Sequence, residues 1–492
     1  MNPKSALFNL IQSLSSNERG YFVKYGFKNS GSRDKNQLIV FNWLCKQKEY
    51  DEKKIQQFFF PNSPNDWRII KHHLFNRIVS CLVDYGKENT IENFVSNELA
   101  KAKVLIGRAL YLSAKRTAER AVKEALLAER YDLAYTALSV VKDSDSHVLL
   151  NQEVFDLYKK LEQQQLDCLR KTENILQYRS LMERYKLIES KVSNVDYLSS
   201  ESLKEANELN QSELLQNNEQ ALSFEAKCIY HVCKAYYYNA QKDSVKRRRN
   251  SRELLHHLES RPEKMKYYAV KYRTAINQYL NACFSTKTFD DFDEYLQKLE
   301  DSRGNLNNNL SARNFLIIEN LRMNKNFSIE HPEKNLQIIK EFEKQLLFHE
   351  NHLPIESFHA LYVNAAISLV YAGSYKQGLI YINKILNNFN ESRNKAVITI
   401  AKSLNLLVHF ELKNEELIKY LIRSYASEDV KILNFLSRVV ENKWNRKNTK
   451  RKNNAPDLLT EEWEGLKQDK SSLRIIQDAY LDVWLKKRIG LA

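Results

Sequence analysis

Residues 357–386, SFHALYVNAAISLVYAGSYKQGLIYINKIL, restrict the fold of this chain more than any other stretch. Two apolar runs at helical spacing flank a short break at Ala372, Gly373 and Ser374. Small residues stand twelve apart at Ala366 and Gly378, and Ile385 follows seven later. Two antiparallel helices approach closely only where side chains are small, with aromatic and aliphatic neighbours filling the space between. The spacing therefore predicts a helical hairpin. A chain made of such hairpins grows by stacking, each unit touching mainly its neighbours.

The rest of the sequence agrees with an all-α fold. Ten glycines and seven prolines in 492 residues are too few for a turn-rich β fold or a glycine-loop nucleotide fold, glycine standing at about 2% against the usual ~7%. Hydrophobic residues, at 43%, suffice for a large core. A chain this long ordinarily divides into several domains, and a stack of repeats escapes that limit. Residues 1–14 carry Lys4 and interrupt their apolar run at Asn9 and Gln12, too polar for a signal peptide. The longest apolar stretch, 360–372, is interrupted by Asn364 and falls far short of the ~20 residues that span a bilayer. Cys45, Cys81, Cys168, Cys228, Cys233 and Cys283 are scattered, with no CxxC pair. Together these predict a cytoplasmic protein with reduced thiols and no membrane partner.

The net charge of +15 is spread along the chain. Residues 1–50 hold 8 basic and 3 acidic side chains, residues 401–450 hold 10 and 6, and residues 151–350 hold 31 and 30. No basic tail of the kind that grips nucleic acid is present.

Residues 1–87 read as a small helical cluster, with helices at about 5–13, 17–27, 36–48, 51–59 and 65–86. Ser15 and Glu18 have capping-box spacing, and Pro61 and Pro64 separate the last two helices. Residues 88–192 read as a first hairpin, 91–127, followed by a run from 146 to 191 that is either one long helix or two. Ala102, Ala114 and Ala121 repeat the spacing of small or apolar residues found later. Residues 193–220 are polar and read as a linker with one short helix near 201–209. Residues 221–442 read as degenerate repeats: 221–258, 267–299 broken near Thr286, 311–349 broken near Pro332, 357–386, 398–422, and a last stripe at 432–440. In the 221–258 unit the position equivalent to Gly378 is Arg247, so that hairpin is expected to be splayed or shifted in register. Residues 443–456 read as a basic loop, and 457–492 as capping helices, with Ile475, Ile476, Ala479, Tyr480, Val483 and Trp484 forming one stripe.

The order of these elements resembles an uncharacterised family of bacterial tetratricopeptide-like (TPR-like) proteins. The resemblance covers nearly the whole chain. It rests on LFNLIQSL at 7–14 with Tyr21 and Phe22, YDEKK at 50–54 before the helix that ends at Tyr85, ALSF at 221–224, and LLVHFEL at 406–412 with LIRS at 421–424. It implies an all-α, TPR-like helical-hairpin solenoid, a right-handed superhelix, behind a small N-terminal helical cluster. The family carries no known activity, so it implies no catalytic residues.

Candidate sites are few. Cys228, His231 and Cys233 diverge around a helix and are expected to pack in the core, since a tetrahedral metal site needs convergent ligands. No phosphate loop, no HExxH and no GxSxG occurs. The acidic run 290–294 opens a helix, where negative charge suits the dipole. No catalytic residue, cofactor or metal is expected. Two basic clusters remain: Lys246, Arg247, Arg248, Arg249 and Arg252, and Lys443, Arg446, Lys447, Lys450, Arg451 and Lys452 beside Trp444. Helices spanning 36–86 also imitate a helix-turn-helix, but the break from Phe60 to Asn65 exceeds the usual 3–4-residue turn. The expected function is a non-catalytic scaffold that binds a peptide or protein segment in a concave groove lined by Tyr236, Asn239, Val363, Ile367 and Tyr371. The alternative is a nucleic-acid-associated regulator using the two basic clusters.

Overall fold

A computed structural model describes residues 6–27, 32–47, 50–61, 64–86, 90–145, 151–190, 200–302, 308–390, 394–426, 430–448 and 455–489. Among them every regular element is helical, and none of the helices is long and apolar enough to cross a membrane. The chain divides into two compact units, Met1–Ser190 with Ser200–Tyr279, and Lys191–Ser199 with Leu280–Ala492.

The first unit opens with α1 (Ala6–Ser13), α2 (Ser16–Tyr25), α3 (Ser32–Lys46), α4 (Glu52–Phe59) and α5 (Pro64–Tyr85). They close over Ile11, Phe22, Phe41, Ile55, Trp67 and Ile78. The capping box forms as expected: Glu18 N donates to Ser15 Oγ at 3.3 Å, and Ser15 N donates to Glu18 Oε2 at 2.7 Å. Pro64 is the first residue of α5, where a missing N–H costs nothing. The break after α4 is therefore the four residues 60–63, shorter than the sequence reading.

Next come α6 (Ile91–Ile106), α7 (Tyr111–Leu127), α8 (Tyr131–Ser144), α9 (Gln152–Ser190), α10 (Ser200–Asn210), α11 (Phe224–Ala240), α12 (Ser244–Glu259) and α13 (Met265–Thr286), within which the division between units falls. Ala114, Ala118, Ala121 and Ala125 are all buried, so α7 packs closely against α6 on one side and α8 on the other. Helix α8 was missed by the sequence reading. Helix α9 is continuous over 39 residues, resolving the choice between one helix and two. Helices α11 and α12 pack together, with Asn250 of α12 buried and hydrogen-bonded to His231 of α11. The close approach is thus shifted beyond Arg247, and the hairpin is not splayed.

The second unit holds α14 (Phe292–Asp301), α15 (Asn308–Ser328), α16 (Asn335–Glu350), α17 (His359–Tyr371), α18 (Tyr375–Asn388), α19 (Lys395–Glu411), α20 (Glu415–Ala426), α21 (Lys431–Asn448), α22 (Ala455–Gln468), α23 (Lys470–Asp478) and α24 (Leu481–Ile489). Helices α17 and α19 are buried nearly all round and carry the core. Gly378 lies against α17 as the spacing implies: a Cβ there would stand 3.1 Å from Val370 Cγ2. Two expectations are corrected. Helix α21 runs through Lys443 and Trp444 to Asn448, so the basic loop begins later than 443. The final apolar stripe is broken at Tyr480, whose φ of 52° separates α23 from α24.

One turn recurs. Ala109, Glu129, Lys242, Lys287, Glu330, Gly373 and Lys413 each follow a helix with φ between 50° and 76°. In each case the next residue donates its N–H five residues back: Leu110 to Leu105, Arg130 to Ala125, Asp243 to Tyr238, Thr288 to Cys283, His331 to Asn326, Ser374 to Leu369 and Asn414 to His409. This is the Schellman closure, which satisfies the last carbonyls of one helix while reversing the chain into the next.

Candidate functional site

Helix α11 begins on a built polar platform. Ser223 caps its first turn, accepting from Ala226 N at 3.0 Å. Glu129, from the turn between α7 and α8, accepts from Phe224 N at 3.2 Å and Glu225 N at 2.8 Å, and pairs with Lys264 at 2.5 Å. A helix N-terminus presents unsatisfied donors and partial positive charge, so a buried carboxylate is stabilised there. Lys271 and Arg179 pair with Glu225 in turn.

Further along α11, Cys228, His231 and Cys233 are buried. His231 Nδ1 meets Asn250 Oδ1 at 3.0 Å, and Asn250 Nδ2 donates to the His231 carbonyl at 2.6 Å. Cys233 Sγ lies 3.9 Å from the Tyr178 carbonyl. Burial pushes the Cys228 thiol up and both His231 and His257 down, so these groups stay neutral. Among the described residues no group of three His, Cys, Asp or Glu side chains converges as metal ligands do.

The far half of α11 opens onto a cavity of about 270 Å³. Its walls are Glu189 of α9, Val232, Ala235, Tyr236 and Asn239 of α11, Arg247 and Ser251 of α12, and Gln278 of α13. The Tyr236 ring stacks on Tyr185 at 6.5 Å. Arg247 Nη1 donates to Asn239 Oδ1 at 2.7 Å, and Asn239 Nδ2 donates to Glu189 Oε1 at 3.4 Å. Burial pulls the Arg247 guanidinium below its usual range, while Glu189 pulls it back up. A second, open depression of about 620 Å³ is lined by Arg68, Ile69, His72 and His73, all on α5, so it brings no two elements together.

The cavity unites residues that the sequence put in different sets: Tyr236 and Asn239 from the expected groove, and Arg247 from the basic cluster. The other groove residues are corrected. Val363 and Ile367 are buried in the core, and the Tyr371 hydroxyl donates to the Ala479 carbonyl at 3.1 Å and also to that of Tyr480. Helix α17 buries most of its surface against its neighbours, with Ala360, Asn364 and Tyr371 half-buried.

The 246–252 cluster is largely occupied within the chain. Lys246 pairs with Asp243 at 2.9 Å, and Arg249 with Glu253 at 3.2 Å. Arg248 Nη2 donates to Tyr279 Oη at 3.3 Å, its guanidinium 5.7 Å from the ring centre. Arg252 is exposed. In the second cluster Lys443 is half-buried on α21. The side chains of Trp444, Arg446 and Lys447, and all of Lys450, Arg451 and Lys452, lie outside the described residues. Glu189 and Gln278 were missed because no local spacing ties α9 or α13 to α11, and Val232, Ala235 and Ser251 because nothing in the sequence marks which positions of α11 and α12 border the space. Compared with family models, curated proteins and solved structures, the chain matches none.

Proposed function

We propose that this chain is a non-catalytic interaction scaffold of the tetratricopeptide-like kind, which binds a peptide or protein segment on the cavity-bearing face of α11 at Tyr236 and Asn239. The cavity carries the proposal. It gathers an aromatic ring, a carboxamide and two opposite charges from four helices at one place, as a recognition site requires. The architecture supports it. Helices pack chiefly on their chain neighbours, and alternate helices also touch, α6 with α8, α15 with α17 and α17 with α19, which is the contact pattern of a stacked-hairpin solenoid. An immobilised parent chain should retain protein from a nuclease-treated cell extract, with retention that survives high salt. Retention should fall when Tyr236 and Asn239 are changed to Ala. Equal retention by the double variant would reject the site, and no retention would reject the scaffold.

A second reading, contact with nucleic acid, draws on α5. Arg68, His72, His73 and Asn76 are exposed on that helix, after a four-residue break of helix-turn-helix length.

A further inference from the structure

Asn239 spans the wall of the α9–α11–α12–α13 cavity between two opposite charges. Its Oδ1 accepts from Arg247 and its Nδ2 faces Glu189. The carboxamide holds guanidinium and carboxylate apart, so both charges border the same space. A guanidinium carries five N–H donors. Among the described residues, the Arg247 guanidinium hydrogen-bonds only to Asn239. Ser251, Tyr236 and Gln278 also line the cavity, and their side chains hydrogen-bond to no other described residue. Ser251 is itself 3% exposed.

These features select a ligand by charge and size. A lone anion drawn to Arg247 meets Glu189, and a lone cation drawn to Glu189 meets Arg247. A molecule carrying one charge of each sign satisfies both. The 270 Å³ space lies below the ~300–1,000 Å³ of sites for drug-sized ligands, which points to a small metabolite. Val232 and Ala235 supply an apolar wall for an uncharged portion. We propose that this cavity binds a free α-amino acid as its zwitterion, with the carboxylate on Arg247 and the ammonium on Glu189. Ser251 and Gln278 add neutral hydrogen bonds, and the side chain rests on Val232 and Ala235. This goes beyond the scaffold reading, since the site needs no protein partner.

The test uses the full chain and three probes: a mixture of the proteinogenic L-amino acids, the same mixture N-acetylated, and the same mixture as carboxamides. Equilibrium dialysis and thermal denaturation should show binding and a raised Tm with the free amino acids only. For the amino acid that binds, Arg247→Gln should weaken retention by about 10–100-fold, as expected for losing a hydrogen bond to a charged group. Glu189→Gln removes the ammonium's partner at an exposed position and should weaken it by about 2–5-fold, the range of a solvent-exposed ion pair. Ala235→Leu keeps both charges, fills the cavity and should abolish binding. Each variant is first shown to melt like the unliganded parent, and the exposed Glu189 position decides the matter where another fails. No retention of free amino acids by the parent, equal retention of the N-acetylated mixture, or unchanged binding by Glu189→Gln would overturn the proposal. Amino-acid binding by a chain that retains no protein partner would leave this inference standing and remove the scaffold. Protein retention without amino-acid binding would do the reverse.

Discussion

Glu129 shows how much one side chain can organise. Its carboxylate stops the start of α11 from burying free N–H groups, and it neutralises Lys264, whose side chain is only 15% exposed. Removing one partner of a buried pair strands the other charge, so Glu129→Gln should cost about 3–5 kcal/mol in urea unfolding. Lys264→Met in the same chain should recover part of that loss. The histidines set a pH limit. His231, His257 and His409 are all held below the ordinary 6.5 by burial. The unfolded chain therefore takes up protons before the folded one does. The contribution of these histidines is fully present above about pH 6.5 and should be lost as pH drops below it, read as a falling Tm. Replacing His257 by Gln should flatten that dependence. At this scale legibility follows sequence distance. The Ser15–Glu18 box is local and was read directly. Glu129 was not, because its partners are 95, 96 and 135 residues away.

At the scale of elements, helices with a one-sided apolar stripe were legible and turns were not. The sequence reading found the α17–α18 turn through Gly373, the one glycine among the seven Schellman positions. Glu129 fills the same conformation between α7 and α8, and the missing turn signal is why α8 went unread. Tyr480 hid the α23–α24 joint in the same way, inside what looked like one stripe. A left-handed conformation costs an ordinary residue about 1–2 kcal/mol relative to glycine. Lys413→Gly should accordingly stabilise the protein by roughly 1 kcal/mol, and Gly373→Ala should destabilise it by a similar amount, both measured by denaturant midpoint. Arg247 misled for another reason. Asn250 joins α12 to α11 through His231, while the large Arg247 side chain borders a cavity.

At the scale of the whole molecule, the all-α class was legible from glycine and proline scarcity and from periodicity. The groove was not. A groove along the first helices requires each to keep an open face, yet Val363 and Ile367 are core residues and the Tyr371 hydroxyl is satisfied by the α23–α24 joint. The part on α11 borders a cavity. The charge was read as diffuse, and Lys246 and Arg249 are each within reach of a carboxylate. We expect weak binding to generic RNA or DNA at about 150 mM salt. Sub-micromolar affinity by fluorescence anisotropy, lost when Arg68, His72 and His73 become Ser, would favour the α5 reading instead.

The placement of Glu129 also imposes an order on synthesis. A ribosome adding about 5–20 residues per second makes Phe224, 95 residues on, some 5–19 s after Glu129, and Lys264, 135 residues on, later still. For that interval the nascent chain has a hairpin turn whose carboxylate has nothing to cap and no countercharge. It stays hydrated, and the α7–α8 pair must hold on its alanine seam alone. When α11 emerges, the anion that fixes its first turn is already in position. A circular permutant that begins at residue 200 would reverse this sequence of events, making α11 wait for its cap, and its folding during synthesis should be slower than the parent's even if the final structures coincide.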